Sequence, residues 1–509
     1  MASSTQPTST STPASCKPLM LLSPGQAVYF IGIGGVGMSG LARILKGLGY
    51  DVGGSDTAAS AYTAQLEALG IAVDIGPQTP DQLPAGSADT LAVVQSTAIG
   101  DDHQQVAAAR GRGLPVYHRS DVLQTIMAAH QTTIGISGTH GKTSVTGMVG
   151  QLLIDCGRQP TVVAGGKLPQ LGTNACHGPS QQVAVAELDE SDGTVVKYNP
   201  TYTVLTNLEL DHPDHYTDGV TQLLETFTTF LTGLDAGSGV LVNAGCPLTR
   251  RLLDAIKDRV AARLVFVALD KADANDADYW LDQMVERPDG TFAAELHSRR
   301  GEVVSLALST PGRAMVWNAA FAAAIGLELE CLPASIADSL NRFTGMGRRF
   351  EVLGEYNGAL VVDDYAHHPT ELQVTLSAAR QRQRYHATTW KEACGEGRLI
   401  VLLQPHRYMR VHTLWQDYLT IFGEADVVVV LDIYAAGEAP IEGVTGQRLA
   451  EAISQFHHTV FYWPSTEAQD WQRILAQLKA PGFLNPGDCL VTMGAGTVTQ
   501  VGRQLVEAS

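Results

Sequence analysis

The stretch that most constrains the fold is residues 133–144, TIGISGTHGKTS. An apolar, strand-like run breaks at Gly138, Thr139, His140 and Gly141 and ends in Lys142, Thr143 and Ser144, after which residues 145–153 read as a helix. Such a strand–loop–helix turn suits phosphate. Small residues let backbone N–H groups turn inward on phosphate oxygens, a lysine adds a mobile cation, and a hydroxyl at the helix start can ligate Mg2+. The generic G-x-x-x-x-G-K-[ST] pattern wants glycine at 136, where this chain has Ile136, with Gly135 one place early. The plain alternative is a glycine-rich turn with an incidental Lys-Thr pair.

A second glycine loop precedes it. Residues 27–31 form an apolar strand, Gly32, Gly34, Gly35 and Gly37 follow in G-x-G-x-x-G spacing, and a helical pattern runs to residue 48. Asp56 comes 19 residues after Gly37, near where an acid meets a ribose in dinucleotide folds. Tight packing of a first strand–helix turn without ligand is the competing reading. Strands at 91–95 and near 116 complete an α/β unit that closes near residue 128.

Beyond the phosphate loop, apolar strands keep ending in polar clusters. The strand at 182–186 ends in Glu187, Leu188, Asp189, Glu190, Ser191 and Asp192, and Glu187 is placed to hold metal beside the loop, with a solvated turn expected for at least one of the other acids. The strand at 202–206 ends in NLELDHPDH, where His212 is the candidate ligand. Residues 240–309 carry strand and helix signals but no readable chemistry, and 311–324 begin a helix bearing Asn318. Glycines and paired arginines at 343–350 read as a hinge. Strands at 360–362, 398–403, 426–431 and 489–492 then end in DDYAHHPTE, QPHRYMR, DIYAAGE and MGAG, on the face where open α/β sheets bind ligands. Gly395 and the polar run before it read as a loop insertion.

Bulk properties narrow the class. At 509 residues the chain should hold about three domains. A net charge of −18 argues against a nucleic-acid binder or a protein held on anionic lipid, so anionic substrates must be met by local cation clusters. Seven scattered cysteines without C-x-x-C indicate neither a disulfide framework nor a zinc site, and fit a reducing cytoplasm. No apolar run approaches the ~20 residues that span a bilayer, so no membrane insertion is expected. Residues 1–24, rich in Ser, Thr and Pro, read as a disordered tail; a transit peptide would usually carry Arg, which this stretch lacks.

Taken together, GIGGVGMSG (32–40), GTHGKTS (138–144), ELDESDG (187–193), NLELDH (207–212), FTGMGRRFE (343–351), DDYAHHPTE (363–371), QPHRYMR (404–410) and DIYAAGE (432–438) resemble the motifs of the Mur ligase family, in order, from about residue 25 to the C-terminus. That family uses a shorter GTxGK[ST] loop, so Ile136 identifies the variant. The resemblance implies three α/β domains: a Rossmann-like domain at 25–128 binding a UDP-sugar, a P-loop ATPase-like domain at 129–345, and a Rossmann-like domain at 346–509 binding the amino acid. It implies ATP-dependent amide synthesis with Mg2+, or possible Mn2+ substitution: the lactyl carboxylate of UDP-N-acetylmuramate is phosphorylated and the amine of L-alanine attacks. Lys142 would hold the β and γ phosphates, Thr143 and Glu187 one metal, and His212 a second, while Tyr365, His367, Arg407 and Arg410 surround amino acid and phosphate. The loop at Gly32, Gly34, Gly35 and Gly37 would take UDP and not NAD, which leaves Asp56 without its ribose role. DIYAAGE favours L-alanine over a recycled muropeptide as acceptor; a dehydrogenase or a non-catalytic UDP-sugar sensor would leave the later clusters idle. The resemblance fails at Ala314 and Met315, where the family carries His-Asn in GRHNxxNA, although Gly312, Arg313, Asn318 and Ala319 remain. Altered ATP affinity in a working enzyme is the expected consequence.

Overall fold

The computed structural model describes residues 25–390 and 396–507; the tail expected over 1–24 and the insertion expected at Gly395 lie outside them. The described chain forms three sheets. The first has five parallel strands in the order Ala72–Ile75, Asp51–Asp56, Ala27–Ile31, Leu91–Gln95, Val116–His118. Strand order reverses between Ala27–Ile31 and Leu91–Gln95, so the loop beginning at Gly32 opens at the switch point.

The second sheet has ten strands, seven of them contiguous and parallel. Thr132–Ser137 lies inside it, between Val183–Glu187 and Tyr202–Leu205. This order is decisive for the site, because it places three successive polar runs side by side: the phosphate loop, the acids from Glu187, and the segment reaching His212. Antiparallel strands Phe292–Ser298 and Val303–Ala307 close one edge, and Thr173–Cys176 the other.

The third sheet runs Glu351–Tyr356, Ala359–Asp364, Cys489–Met493, Leu399–Leu403, Val427–Val430, Val460–Tyr462, antiparallel only at its first pair. Its four middle strands are buried along their whole length and apolar except at Asp363, Asp364 and Thr492, as suits parallel strands covered on both faces. They are the four strands whose ends carry the polar clusters.

The first sheet is seated on the second through helix Val36–Gly47, which packs on Thr161–Leu168 and Thr173–Cys176. A Cβ on Gly40 would lie 3.0 Å from Asn174 Nδ2, and one on Gly47 2.7 Å from the His177 ring. Small residues after the glycine loop therefore serve a domain contact. No helix among the described residues is long and apolar enough to cross a membrane.

Gly135, the glycine out of place in the generic loop pattern, is a packing residue. A Cβ there would stand 2.4 Å from Leu188 Cδ1 and 3.0 Å from Pro200 Cγ, where the strand Thr132–Ser137 lies under the acidic run. Gly135→Ala is expected to destabilise by about 1–3 kcal/mol through overpacking, read as an earlier transition in scanning calorimetry; an unchanged transition would show that Leu188 moves aside freely.

Candidate active site

The phosphate loop turns through two left-handed glycines, Gly138 at φ +117° and Gly141 at φ +86°, the latter capping helix Lys142–Asp155. Space as well as conformation demands glycine there. A Cβ on Gly141 would stand 2.5 Å from Asn318 Oδ1, so the expected Asn318 lies against the loop. Thr139 fixes the loop to the neighbouring strand end, its hydroxyl donating to Glu209 O at 3.0 Å and accepting from Glu209 N at 2.9 Å. Ser144 is buried in the wall of the same cleft.

Lys142 is half-buried and points back under the loop, donating to Gly138 O (2.7 Å) and Thr139 O (2.9 Å) and pairing with Glu190 Oε2 at 2.9 Å. Burial works against its charge, but Glu190, Asp189 and Glu187 outweigh that and keep the ammonium. Glu190 is pushed up to about 7 by the same burial, partly offset by Lys142. Asp189 and Asp192 receive Arg119 Nη2 from the first domain, at 2.8 and 3.3 Å, and Thr97 donates to Asp192 at 2.8 Å. The expectation of a solvated acid in this run is therefore corrected: Glu190 is paired with Lys142 of the phosphate loop, and Asp189 and Asp192 with Arg119, because the first sheet docks its strand ends against them.

Glu187 and Thr143 converge as expected. Thr143 Oγ1 donates to Glu187 Oε1 at 3.2 Å, and the other carboxylate oxygen accepts from Gly165 N at 2.8 Å. His212 is held at φ +55°, with its Nε2 3.5 Å from Asp211 Oδ2. Burial lowers its pKa, so the ring is neutral and keeps a lone pair. Hydroxyl and carboxylate at Thr143 and Glu187 suit one Mg2+ or Mn2+, and the neutral imidazole of His212 suits a second.

The structure adds a cluster that sequence reading missed. His140 Nε2 lies 2.9 Å from Glu209 Oε2 and Nδ1 3.1 Å from Glu371 Oε1, and Thr370 Oγ1 donates to the other oxygen of Glu209 at 2.6 Å. Burial would lower the His140 pKa, but these bonds outweigh it and raise it to about 9. His140, Glu209 and His368 come close enough to enclose a cation. The hydrogen bonds speak against that use, since an imidazolium has no lone pair and His368 Nδ1 already accepts from Thr370 N. The cluster instead joins the phosphate loop to helix Pro369–Thr388 of the third domain.

Tyr365 lies beneath two guanidiniums, with Arg348 and Arg349 Cζ at 4.9 and 5.1 Å from its ring centre. His367 is half-buried beside it, its Nδ1 2.9 Å from Tyr365 O. Burial first, then Arg410, push its pKa down to about 3. The ring is neutral, and with Nδ1–H on the carbonyl its Nε2 is an acceptor. Arg410 is buried and grips Asp211 with Nε at 3.0 Å and Nη2 at 3.3 Å, while Arg407 Nη1 meets Asp214 at 2.7 Å. Arg407 and Arg410, expected to face substrate, thus also carry pairs across the cleft.

In the first domain, Gly34 N donates to Asp56 Oδ2 at 2.8 Å, and Gly32 N and Ile33 N donate to Ser55 O. Asp56 braces the glycine loop, which accounts for the acid without a ribose. Gly35 caps helix Val36–Gly47, and Gly37 faces open space. Between the second and third domains lies a cavity of about 550 Å³, walled by the phosphate loop, Asn243, Cys246, Leu248, Met315, Trp317, Phe321 and helix Pro369–Thr388. Part of that wall comes from residues 240–309, where the sequence offered no chemistry.

Three family models match the chain in order: "Mur ligase family, catalytic domain" over 27–131, "Mur ligase middle domain" over 136–326, and "Mur ligase, glutamate ligase domain" over 348–496. A UDP-N-acetylmuramate–L-alanine ligase of Geobacter sulfurreducens is 40% identical over 94% of this chain and 96% of its own. One from Acaryochloris marina is 37% identical over 94% of each. The crystal structure of the UDP-N-acetylmuramate-alanine ligase of Thermotoga maritima superposes with TM-score 0.74 at 24% identity, covering 95% of this chain and 98% of that one. A murein peptide ligase of Psychrobacter arcticus superposes with TM-score 0.67 at 20% identity over 95% and 98%. Three matched models and near full-length identity leave one assignment: the chain belongs to the Mur ligase family.

Proposed function

We propose that this protein joins L-alanine to the lactyl carboxylate of UDP-N-acetylmuramate, converting ATP to ADP and phosphate, as a step of peptidoglycan synthesis. The observation that carries the reading is the meeting of two unlike clusters in one cleft. One, with Lys142, Thr143 and Glu187, suits a polyphosphate with its metal; the other, with Tyr365, His367, Arg407 and Arg410, suits a small zwitterion. The near full-length match to relatives named for this reaction supports the choice of substrates. Domain limits are placed at 25–128, 129–345 and 346–509. ATP and a nucleotide-sugar as substrates place the work in the cytoplasm.

The chemistry needs charge neutralisation and placement more than a protein nucleophile. Lys142 turns from Glu190 to the β and γ phosphates, and the backbone N–H groups of 138–144 hold phosphate oxygens. Thr143, Glu187 and His212 would hold metal, which supplies positive charge against the transferring phosphoryl group. Transfer of that group makes the lactyl carboxylate an acyl phosphate. Arg407 holds the carboxylate of alanine, and His367 Nε2 accepts a hydrogen bond from its amine. A ring held down at about 3 orients the amine without binding its proton. Once alanine has released its ammonium proton to water, the neutral amine attacks the acyl carbon and forms a tetrahedral species; collapse breaks the C–O bond to phosphate, which takes up the second amine proton and leaves past Arg410. The first domain presents UDP at the loop of Gly32, Gly34, Gly35 and Gly37, and closure of the three domains hinges at 345–347, where Gly345 has φ +99°.

The direct test is phosphate release with UDP-N-acetylmuramate and ATP across acceptors. L-Alanine should work best, glycine and serine within about 10–200-fold, since one methyl group supports only about 1–3 kcal/mol of discrimination; release with a muropeptide alone would identify a recycling ligase instead. Lys142→Ala should lower turnover by at least about a hundredfold, while calorimetry still shows UDP-N-acetylmuramate binding. Retained turnover would remove Lys142 from the mechanism.

The imidazolium at His140 makes the contact between second and third domains pH-dependent. Its pKa is raised, so the stability it contributes is complete below about pH 6.5, the ordinary histidine range, and is lost as pH rises through about 9. Thermal unfolding between pH 7 and 10 should therefore show a fall in the wild type that Glu371→Gln reduces. Parallel curves for the two proteins would show that the cluster does not join the domains.

A further inference from the structure

Glu187, Asp189, Glu190 and Asp192 crowd the end of strand Val183–Glu187 beside the phosphate loop, and among the described residues Lys142 and Arg119 are the full cations that pair with them. Lys142 takes Glu190, and Arg119 takes Asp189 and Asp192. His118 Nε2 lies 3.9 Å from Asp192, but burial lowers its pKa and leaves the ring neutral. The two cations have different duties. Lys142 belongs to the phosphate loop and has to exchange Glu190 for phosphate when a nucleotide arrives. Arg119 belongs to the first domain, where it opens helix Arg119–Ala128 directly after strand Val116–His118, and it reaches across the domain boundary with Nη2 2.8 Å from Asp189 Oδ2 and 3.3 Å from Asp192 Oδ2.

Asp189 is the acid through which the two cations meet. Burial works against the Lys142 ammonium, and Glu190, then Asp189, outweigh it. Burial works against the Asp189 carboxylate too, and Arg119, then Lys142, outweigh that. A carboxylate so placed holds Lys142 back among the acids and repels an incoming triphosphate unless its charge is met from another side. Arg119 meets it from the first domain. The residues of this contact stand at strand ends of the first sheet, on the face where the loop of Gly32 opens; a Cβ on Gly32 would lie 3.8 Å from Ile99 Cδ1, in the loop that carries Thr97. Two further bonds join the same domains close by, Thr97 Oγ1 to Asp192 Oδ2 at 2.8 Å and Lys197 Nζ to Asp121 Oδ1 at 2.6 Å. Neither touches Asp189 or Lys142. The contact therefore has members that only dock the domains and one, Arg119, that also sets the charge facing the phosphate-loop lysine.

We propose that Arg119 is a positioning residue for the phosphoryl donor: by taking up the charge of Asp189 from the neighbouring domain it frees Lys142 to leave Glu190 for the phosphates, so that the domain presenting the sugar nucleotide also sets the affinity for ATP. This rests on the ligase reading given above and deepens it at the phosphate loop. The test is calorimetry of the full-length protein with the β,γ-imido analogue of ATP and Mg2+, alongside phosphate release. Arg119→Met should raise the Kd of the analogue and the KM for ATP by at least about tenfold, the order of effect of one unmet charge beside an ionic site, with little change in the KM for L-alanine. Arg119→Lys, which keeps the charge, should recover most of the loss. Asp189→Asn added to Arg119→Met should bring the Kd back to within about threefold of wild type, because the charge that Arg119 met is gone. Thr97→Val and Lys197→Met, which loosen the same contact without baring Asp189, should stay within about the same threefold. Asp189→Asn alone should tighten the analogue, a result that does not depend on whether Arg119→Met folds; weaker binding there overturns the proposal. So does an equal Kd for wild type and Arg119→Met, a loss that Asp189→Asn does not repair, or an equal loss in Thr97→Val and Lys197→Met, and each of these leaves the ligase reading intact. A wild-type protein that binds no analogue would instead overturn the ligase reading and the proposal with it.

Discussion

Lys142 lies half-buried against Glu190, 2.9 Å from its Oε2, and that pair sets the terms on which an anionic substrate enters the cleft. In a chain of net charge −18 the cations gathered at the strand ends already have carboxylate partners. Arg119 has Asp189 and Asp192, His140 has Glu209 and Glu371, Arg407 has Asp214, and Arg410 has Asp211. Binding a polyphosphate here is an exchange of partners and not the creation of a new ion pair. Such an exchange leaves carboxylates behind, and a buried carboxylate without a cation is costly. Under the proposed reading, divalent metal held by Thr143 with Glu187, and separately by His212, would relieve that cost, since it would bring positive charge in with the phosphates. The charge balance of the cleft thus gives a reason for metal that is separate from the reaction.

The same pairs tie the domains together. Arg119 reaches from the first domain to the acidic run of the second. His140 and Glu209 of the second meet Glu371 and Thr370 of the third, and Arg407 and Arg410 of the third meet Asp214 and Asp211 of the second. A substrate that takes over one of these cations loosens an interdomain pair, and one that bridges two domains replaces it. Recognition and domain arrangement are therefore coupled through the same few side chains, without any element that acts as a separate switch.

How much of this was legible in sequence depends on whether a residue acts through its own strand or across the sheet. The middle strands of the sheets, largely apolar and ending in polar clusters, announced themselves; Leu91–Gln95 lies where its pattern predicts. Lys142, Thr143 and Glu187 follow because a glycine loop and the acid on the neighbouring strand carry local signals. Strand Glu351–Tyr356 went unread, because an edge strand half open to solvent alternates charged residues with Val352 and Leu353 and carries a bulge at Val352 and Gly354. The pairing of His140, itself expected at the phosphate loop, with Glu209 and Glu371 also escaped. Their partnership spans 69 residues on one side and 231 on the other, and nothing in either neighbourhood points to the other. The expectation of a solvated acid among 189–192 failed for the same reason, since Arg119 arrives from another domain.

Glycine strings show the limit of motif reading most clearly. GIGGVG at 32–37 and GTHG at 138–141 both resemble ligand loops, yet their glycines answer to different needs. Gly138 and Gly141 combine left-handed backbone with near contacts at Thr206 and Asn318, so they are fixed by the loop itself. Gly34 is small because Asp56 and Thr63 crowd it, and its N–H is occupied by Asp56, while Gly40 and Gly47 are small because another sheet lies on them. Gly135 looked like a displaced member of the phosphate pattern and proves to make room for Leu188 at the start of the acidic run. That position lets the strand of the phosphate loop lie close beneath the strand end that presents Glu187. A residue remote from the loop's own glycines thereby helps set the spacing between Thr143 and Glu187.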